Sequence, residues 1–207
     1  MDGDTTAVIC LRGTSVSPGL ARGPLIVIAD DTHSASRERG SAEEESARMH
    51  AAIAAASVEL EALMERAGDD DAQTILAFQV AMLADPVVAE PAFAAIERGE
   101  SAEDGWRAAM RSQISQYHEA DDLYFRARAS DLRDMRDRVL RKLNGAAAMP
   151  IAPGSIVVAA DLPPSRFLEI AWDGGGVALT QSPGIEKAED RLPRQSTRGR
   201  LALQRRH

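Results

Sequence analysis

Residues 124–145, YFRARASDLRDMRDRVLRKLNG, constrain the fold more than any other stretch, because their pattern is helical and they divide two unlike compositions. Phe125, Ala129, Leu132, Met135, Val139 and Leu143 recur at steps of three and four, which places them on one stripe of a helix. The remaining faces are charged. Asp134 stands four residues before Arg138, and Asp137 four before Arg141, the favourable order for helical ion pairs. Arg141 and Lys142 fall in the last turn, where cations complement the helix dipole, and Asn144-Gly145 supplies a stop. This spacing predicts a helix packed along one stripe with its charges mostly on the surface. Before it the chain is Ala-rich and reads as helix after helix. Beyond it come Pro, Gly and short β-branched runs.

The helical block opens at Ser41-Ala42-Glu43-Glu44, a capping-box pattern. Met49, Ile53, Ala56, Leu60, Leu63 and Ala67 then follow at alternating steps of four and three, a seam suited to an antiparallel helix pair or bundle. Gly68 ends that helix. Asp69-Asp70-Asp71 caps a shorter one over 72–83, with acid where the dipole favours it. Asp85-Pro86 reads as an N-cap followed by proline at the first helical position. Pro91 predicts a kink or break in the helix that follows. Ser101 caps the next, which carries Trp106, Met110, Gln113 and Tyr117 on one face.

The flanks read differently. Residues 7–12 and 24–29 are short β-type runs around a Pro/Gly turn, and 155–160 and 174–180 are strand-like as well. Ser165 is placed as the cap of a short helix through Ile170. The first and last strands are expected to share one sheet. The fold class is therefore α+β, a small α/β domain with an inserted α-helical, bundle-like domain. Its expected boundaries are 1–33 and 146–183 for the α/β domain and 34–145 for the insertion. Residues 184–207 hold ten charged residues, six of them Arg, with no sustained apolar period, and read as a disordered tail.

Composition narrows function by exclusion. A net charge of −8 without a basic stripe before the C-terminus argues against nucleic acid and leaves room for a basic protein partner. Cys10 stands alone, so no disulfide framework or multi-Cys metal site is expected. No apolar run is long enough for a membrane span, and the acidic N-terminus is unlike a signal peptide. A cytoplasmic setting without membrane contact is expected. His33, His50, His118 and His207 lie in no recognisable motif and read as surface or packing residues.

Four stretches together resemble the N-terminal half of Enzyme I, the phosphoenolpyruvate–protein phosphotransferase of the bacterial sugar phosphotransferase system. They are 13–23, GTSVSPGLARG; 75–86, ILAFQVAMLADP; 124–145, with its Y-x-x-x-R-x-x-D-hydrophobic-R-D pattern; and 157–165, VVAADLPPS. The resemblance implies a phosphohistidine-type α/β domain carrying an inserted helical domain. In that family a histidine of the α/β domain takes phosphoryl from phosphoenolpyruvate, bound with Mg²⁺ on a separate C-terminal barrel domain. It passes the group to a histidine of the small carrier HPr, which docks on the helical insertion through an apolar patch ringed by basic residues. The chemistry needs a neutral imidazole as nucleophile.

The resemblance stops near Pro183. The phosphohistidine position falls near Ile185, Glu186 and Lys187, where no histidine stands. The chain is expected to hold no cofactor itself, and alone not to be catalytically competent. A truncation, a frameshift or an artificial boundary is the expected origin of this ending. The matching motifs assign HPr contact to Asp70, Asp71, Met82, Leu83, Asp85, Tyr124, Phe125 and Arg128. Packing competes with docking for Met82, Leu83 and Phe125; capping competes for the two Asp; and pairing with Asp131 or Asp121 competes for Arg128. Alternatives to the phosphoryl-relay role are a non-catalytic HPr-docking module, an inactive fragment, and a donor subunit for dihydroxyacetone kinase.

Overall fold

Ser41 starts the longest helix, α1 (Ala42–Arg66), through the expected reciprocal cap. Its hydroxyl accepts from the Glu44 amide at 3.2 Å, and the Glu44 carboxylate accepts from the Ser41 amide at 2.7 Å. The computed structural model describes residues 21–28, 37–68, 70–145, 151–159, 162–170, 176–179 and 200–202. Four more helices follow α1: α2 (Asp70–Ala84), α3 (Pro86–Glu97), α4 (Ala102–Glu119) and α5 (Leu123–Leu143). Helix α2 begins two residues earlier than the pattern places it, so Asp70 and Asp71 form its first turn. Asp85 and Ser101 cap α3 and α4 as the sequence predicts, their side chains accepting from the amides of Val87 and Asp104.

Helix α3 runs through Pro91 without a break. Proline removes the donor that would meet the Val87 carbonyl. One residue on, Gln113 of α4 donates to the Val88 carbonyl at 3.1 Å, reinforcing the weakened turn from outside the helix. Gly105 lets α3 and α4 approach closely: a Cβ there would lie 2.9 Å from the Ala92 carbonyl oxygen. Helix α5 ends where expected, with Gly145 at φ 63° and the Asn144 amide bonded to the Leu140 carbonyl at 3.0 Å.

The five helices bury one apolar core. It contains Met49, Ala56, Leu60 and Leu63 of α1, Leu76 and Leu83 of α2, Val88 and Ile96 of α3, Trp106 and Met110 of α4, and Leu132, Met135 and Val139 of α5. Trp106 is fully buried, and its indole N–H donates to the Arg136 carbonyl at 3.1 Å. Ile53, expected on the α1 seam, lies partly buried at the core's margin.

The sheet joins segments from both sides of the helical block. Strand β1 (Arg22–Ile28) pairs in parallel with β2 (Ile156–Ala159), Leu25 opposite Ile156, although five helices lie between them in sequence. The short helix α6 (Pro164–Glu169) then crosses to β3 (Gly176–Leu179), parallel to β2. Gly23 is required at this junction, because a Cβ there would fall 1.8 Å from the Gly154 carbonyl oxygen. The α+β class read from the sequence is what the chain adopts.

Three expectations need correction. The tail contains a strand, β4 (Arg200–Ala202), which pairs antiparallel with Arg22–Pro24 and completes the order β3-β2-β1-β4. An exposed edge offers unpaired backbone groups, and even a short segment without hydrophobic period satisfies them. Ser165 does not cap α6. Pro163 holds that position without a side-chain bond, while Ser165 turns inward, fully buried, and donates to Asp134 at 2.5 Å. The charges of α5 are not all on the surface, since Arg138, Asp134 and Asp131 are buried. The strand expected at 7–12 lies outside the described residues.

Candidate docking site on α2 and α5

Along α2, residues Asp71, Ile75, Phe78 and Met82 step by four, three and four, and Asp85 follows three further on. A helix turns about 100° per residue, so these positions form one lengthwise stripe. Its two ends are acidic and exposed, and its middle is apolar and half-buried. The neighbouring stripe, Leu76, Gln79 and Leu83, points into the bundle and is buried.

Helix α5 lays a cation across the middle of the first stripe. The Arg128 guanidinium carbon lies 5.0 Å from the centroid of the Phe78 ring, a cation–π distance. Along another edge, Arg128 Nη1 donates to Asp131 at 2.9 Å. Asp131 is the partner that the sequence offered as one of two choices. Helix α2 brings the ring, α5 brings both charged groups, and a single turn of α5 separates Arg128 from Asp131.

The structure distributes the expected contact residues unevenly. Asp70 and Asp71 are exposed in the first turn of α2. Met82 is half-buried beside the core, and Asp85 is exposed while its carboxylate accepts from the Val87 amide at 3.0 Å. Leu83 is a correction: only 5% exposed, it belongs to the core and cannot offer a surface contact. Tyr124 and Phe125 occupy the first turn of α5, and their side chains lie outside the described set, as do residues 185–187. Phe78 was missed from the sequence. The available signal was its position seven residues from both Asp71 and Asp85, an aromatic midway between two acids on one face.

Two further charged clusters brace the bundle. Glu45, fully buried, accepts from the amides of Gly40 at 2.8 Å and Ala102 at 3.0 Å, and from Arg37 and Arg48. Burial alone would raise its pKa. The two amides and Arg37 outweigh this and hold it at about 2. Arg48 continues to Glu103 and to the Leu143 carbonyl at 2.9 Å. The second cluster centres on Arg138, which meets Glu59 of α1, Glu169 of α6 at 2.7 Å and the Ser165 hydroxyl at 3.1 Å. Asp134 lies 3.7 Å away. Burial works to lower the Arg138 pKa, and the surrounding carboxylates raise it above its ordinary value. Arg141 sits beside it with its pKa lowered by burial and by Arg138 and Arg166.

The two described histidines, His50 and His118, take no part in either cluster. His50 is exposed, its Nδ1 2.9 Å from the Ser46 carbonyl and its ring 4.4 Å from that of Phe93, and His118 lies in the last turn of α4. Among the described residues, no group of three or more His, Cys, Asp or Glu side chains converges to hold a metal ion. Among them also, no single helix is long and apolar enough to cross a membrane.

A small sheet interrupted by a helical bundle, with an acid-tipped apolar stripe on the bundle, defines the class. The family model described as PEP-utilising enzyme, N-terminal, matches residues 12–128, and the chain belongs to this family. It is 30% identical over 170 residues to a phosphoenolpyruvate-protein phosphotransferase of Listeria innocua, and 31% over 169 residues to one of Geobacillus stearothermophilus. Each match takes in 77% of this chain but 29% of the relative, so the chain spans less than a third of their length. Among solved structures, an NMR structure of Enzyme I aligns with a TM-score of 0.65 at 23% identity, over 82% of this chain and 73% of that one. A second, the N-terminal domain of a nitrogen-type Enzyme 1, gives 0.58 at 24% identity, over 79% and 71%. These two likenesses are of fold. The relationship to Enzyme I rests on the family match and the sequence relatives.

Proposed function

We propose that this chain is the carrier-docking portion of an Enzyme I-type phosphotransferase, and that its helical bundle binds the phosphocarrier HPr. The carrying observation is the stripe on α2: Ile75, Phe78 and Met82 between Asp71 and Asp85, with Asp70 beside the acidic start. An apolar centre with an acidic rim complements a partner whose apolar patch is ringed by basic residues, and steers its approach. Arg128 of α5 adjoins the stripe, and the family motif assigns Tyr124 and Phe125 to the same contact. Phosphoenolpyruvate and Mg²⁺ belong in this reading to the barrel domain of the longer relatives, and the setting is the cytoplasm.

The relay of phosphoryl through a histidine is the family's activity, and this chain carries no histidine at 185–187. We therefore assign it docking without transfer. Titration of ¹⁵N-labelled HPr with the chain should shift HPr resonances on one face, and the shifts should weaken as salt is added. Absence of shifts at high concentration removes the docking assignment. Incubation with phosphoenolpyruvate, a barrel domain and HPr should leave the chain unlabelled. Acid-labile phosphate on any of its histidines would overturn the assignment of docking alone.

A further inference from the structure

The cluster around Arg138 holds one more cation than its acids can pair. Among the described residues its cations are Arg138, Arg141 and Lys142 of α5 and Arg166 of α6, and its carboxylates are Glu59, Asp134 and Glu169. Those carboxylates are already engaged. Glu59 meets Arg138 with one oxygen and Lys142 with the other, and Glu169 divides its oxygens between Arg138 and Arg166. The Asp134 oxygen nearest Arg138 also accepts from the Ser165 hydroxyl. Arg141 is left over: among the described residues its Nη2 is buried without a hydrogen-bond partner. Arg138 stands one turn earlier on the same helix, fully buried, and its Nε is unpartnered in the same sense. Burial and the charges of Arg138 and Arg166 lower the Arg141 pKa, as expected for a cation that lacks its counter-ion. A buried donor on a charged group is costly to leave unmet, so two of them in one cluster call for a ligand.

We infer that the seam between α5 and α6 is a binding site for a small phosphate-class oxyanion, held by the free donors of Arg141 and Arg138 with Arg166 alongside. One anion there balances the cation left over and meets both orphaned donors. Guanidinium groups suit it, because their planar fork matches the oxygens of such an anion and the bonds are charge-assisted. The cations come from two helices, which favours a tetrahedral anion, with oxygens in several directions, over a flat carboxylate. Arg141 and Arg166 are half-buried, so the cluster is open to solvent at its margin. Bound there, the anion ties α6 more firmly to the bundle. The site uses none of the residues of the α2 stripe and stands apart from the docking assignment.

The test titrates inorganic phosphate against the full chain, with ionic strength held constant by chloride, and follows the ³¹P line width. The parent should broaden the line in a saturable way, and its melting temperature should rise in phosphate above its value in chloride. Arg141→Gln should weaken binding about tenfold or more, the scale of one lost charge-assisted contact, and Arg141→Lys, which keeps the charge without the fork, should weaken it less. Arg111→Gln removes an exposed charge from α4 and should leave binding as in the parent. In chloride alone, Arg141→Gln should melt no lower than the parent, because the charge it removes is uncompensated. Absence of saturable broadening by the parent overturns the inference and leaves water as the partner of the two donors. Binding that survives Arg141→Gln unchanged overturns it as well. So does an Arg141→Gln chain that fails to fold in chloride, since Arg141 would then already be paired.

Discussion

The bundle interior and the seam beneath α6 are both buried, yet they are held by different forces. Where α1 to α5 meet, the contacts are Met, Leu, Ile, Ala and the full ring system of Trp106. Where α1 and α5 meet α6, the centre is a fully buried arginine among carboxylates and a serine hydroxyl. Apolar packing is tolerant of direction, since several arrangements of similar volume are nearly as good. The Arg138 cluster is not. Its donors must find Glu59, Ser165 and Glu169 at once, which ties α6 to one position against the bundle. In this protein the first region supplies most of the free energy, and the second supplies the relative placement of α6.

The largest effects would test that division directly. Trp106→Ala should cost about 3–5 kcal/mol through the cavity it leaves, with little dependence on salt. Arg138→Met should cost a similar amount, about 3–5 kcal/mol, because Asp134, Glu169 and Glu59 lose their central cation. The regions separate in the rescue. Adding Asp134→Asn and Glu169→Gln to Arg138→Met should restore most of the loss, as removing a whole buried charge set often does. Denaturant unfolding of the four proteins decides the matter, and a failed rescue would mean that shape, not charge, governs the seam.

A smaller effect belongs to Glu45. Its folded-state pKa of about 2 lies below the ordinary 4.5, so its contribution is complete above about pH 4.5 and is lost as pH falls toward 2. Glu45→Gln should destabilise the chain by about 1–3 kcal/mol at neutral pH, the worth of a hydrogen bond to a charged group. The gap to the parent should close as pH falls through that window. A gap that stays constant from pH 7 to pH 2 would show that the charge contributes nothing.

The smallest predicted change is a gain. Gln79 is fully buried on the inner stripe of α2, and among the described residues neither its side-chain oxygen nor its nitrogen has a hydrogen-bond partner. Gln79→Met keeps the length and removes the unmet polar atoms, and should raise stability by about 1 kcal/mol. A loss of stability in thermal or denaturant unfolding would point to a water bound by the amide.

What could be read from the sequence follows from the range of the interactions. The Ser41–Glu44 cap, the Asp85-Pro86 start and the Asn144-Gly145 stop are contacts between residues a few positions apart, and all are found as read. The stripe Ala129, Leu132, Met135, Val139 is periodic and is buried as its period implies. Arg138 misled, because its neighbour Asp134 suggests a surface pair, while its other partners lie at 59, 165 and 169. Glu45 looks like one more acid in a first turn, and its bond to the Ala102 amide spans more than half of the helical block. At the candidate site, Asp70, Asp71, Met82 and Asp85 lie on or beside one stripe of α2, exposed or half-buried, where a contact role is open to them. Leu83 was misplaced because adjacent helical positions face directions about 100° apart, and the motif match does not distinguish them.

The bond from Arg48 to the Leu143 carbonyl has a kinetic consequence. Strands β1 and β2 are neighbours whose paired residues stand about 130 positions apart, and contacts of such long range slow folding. Glu45 grips the amide of Gly40 where the chain runs into α1, and Arg48 grips the end of α5 where it leaves. Once the bundle has closed, those two points are held together, and only the short connectors to β1 and β2 remain to be gathered. The loop-closure entropy left for the sheet is then that of a short loop. The helices of the proposed partner surface are thus also expected to set the order of events, with the sheet assembling on a bundle that has already formed.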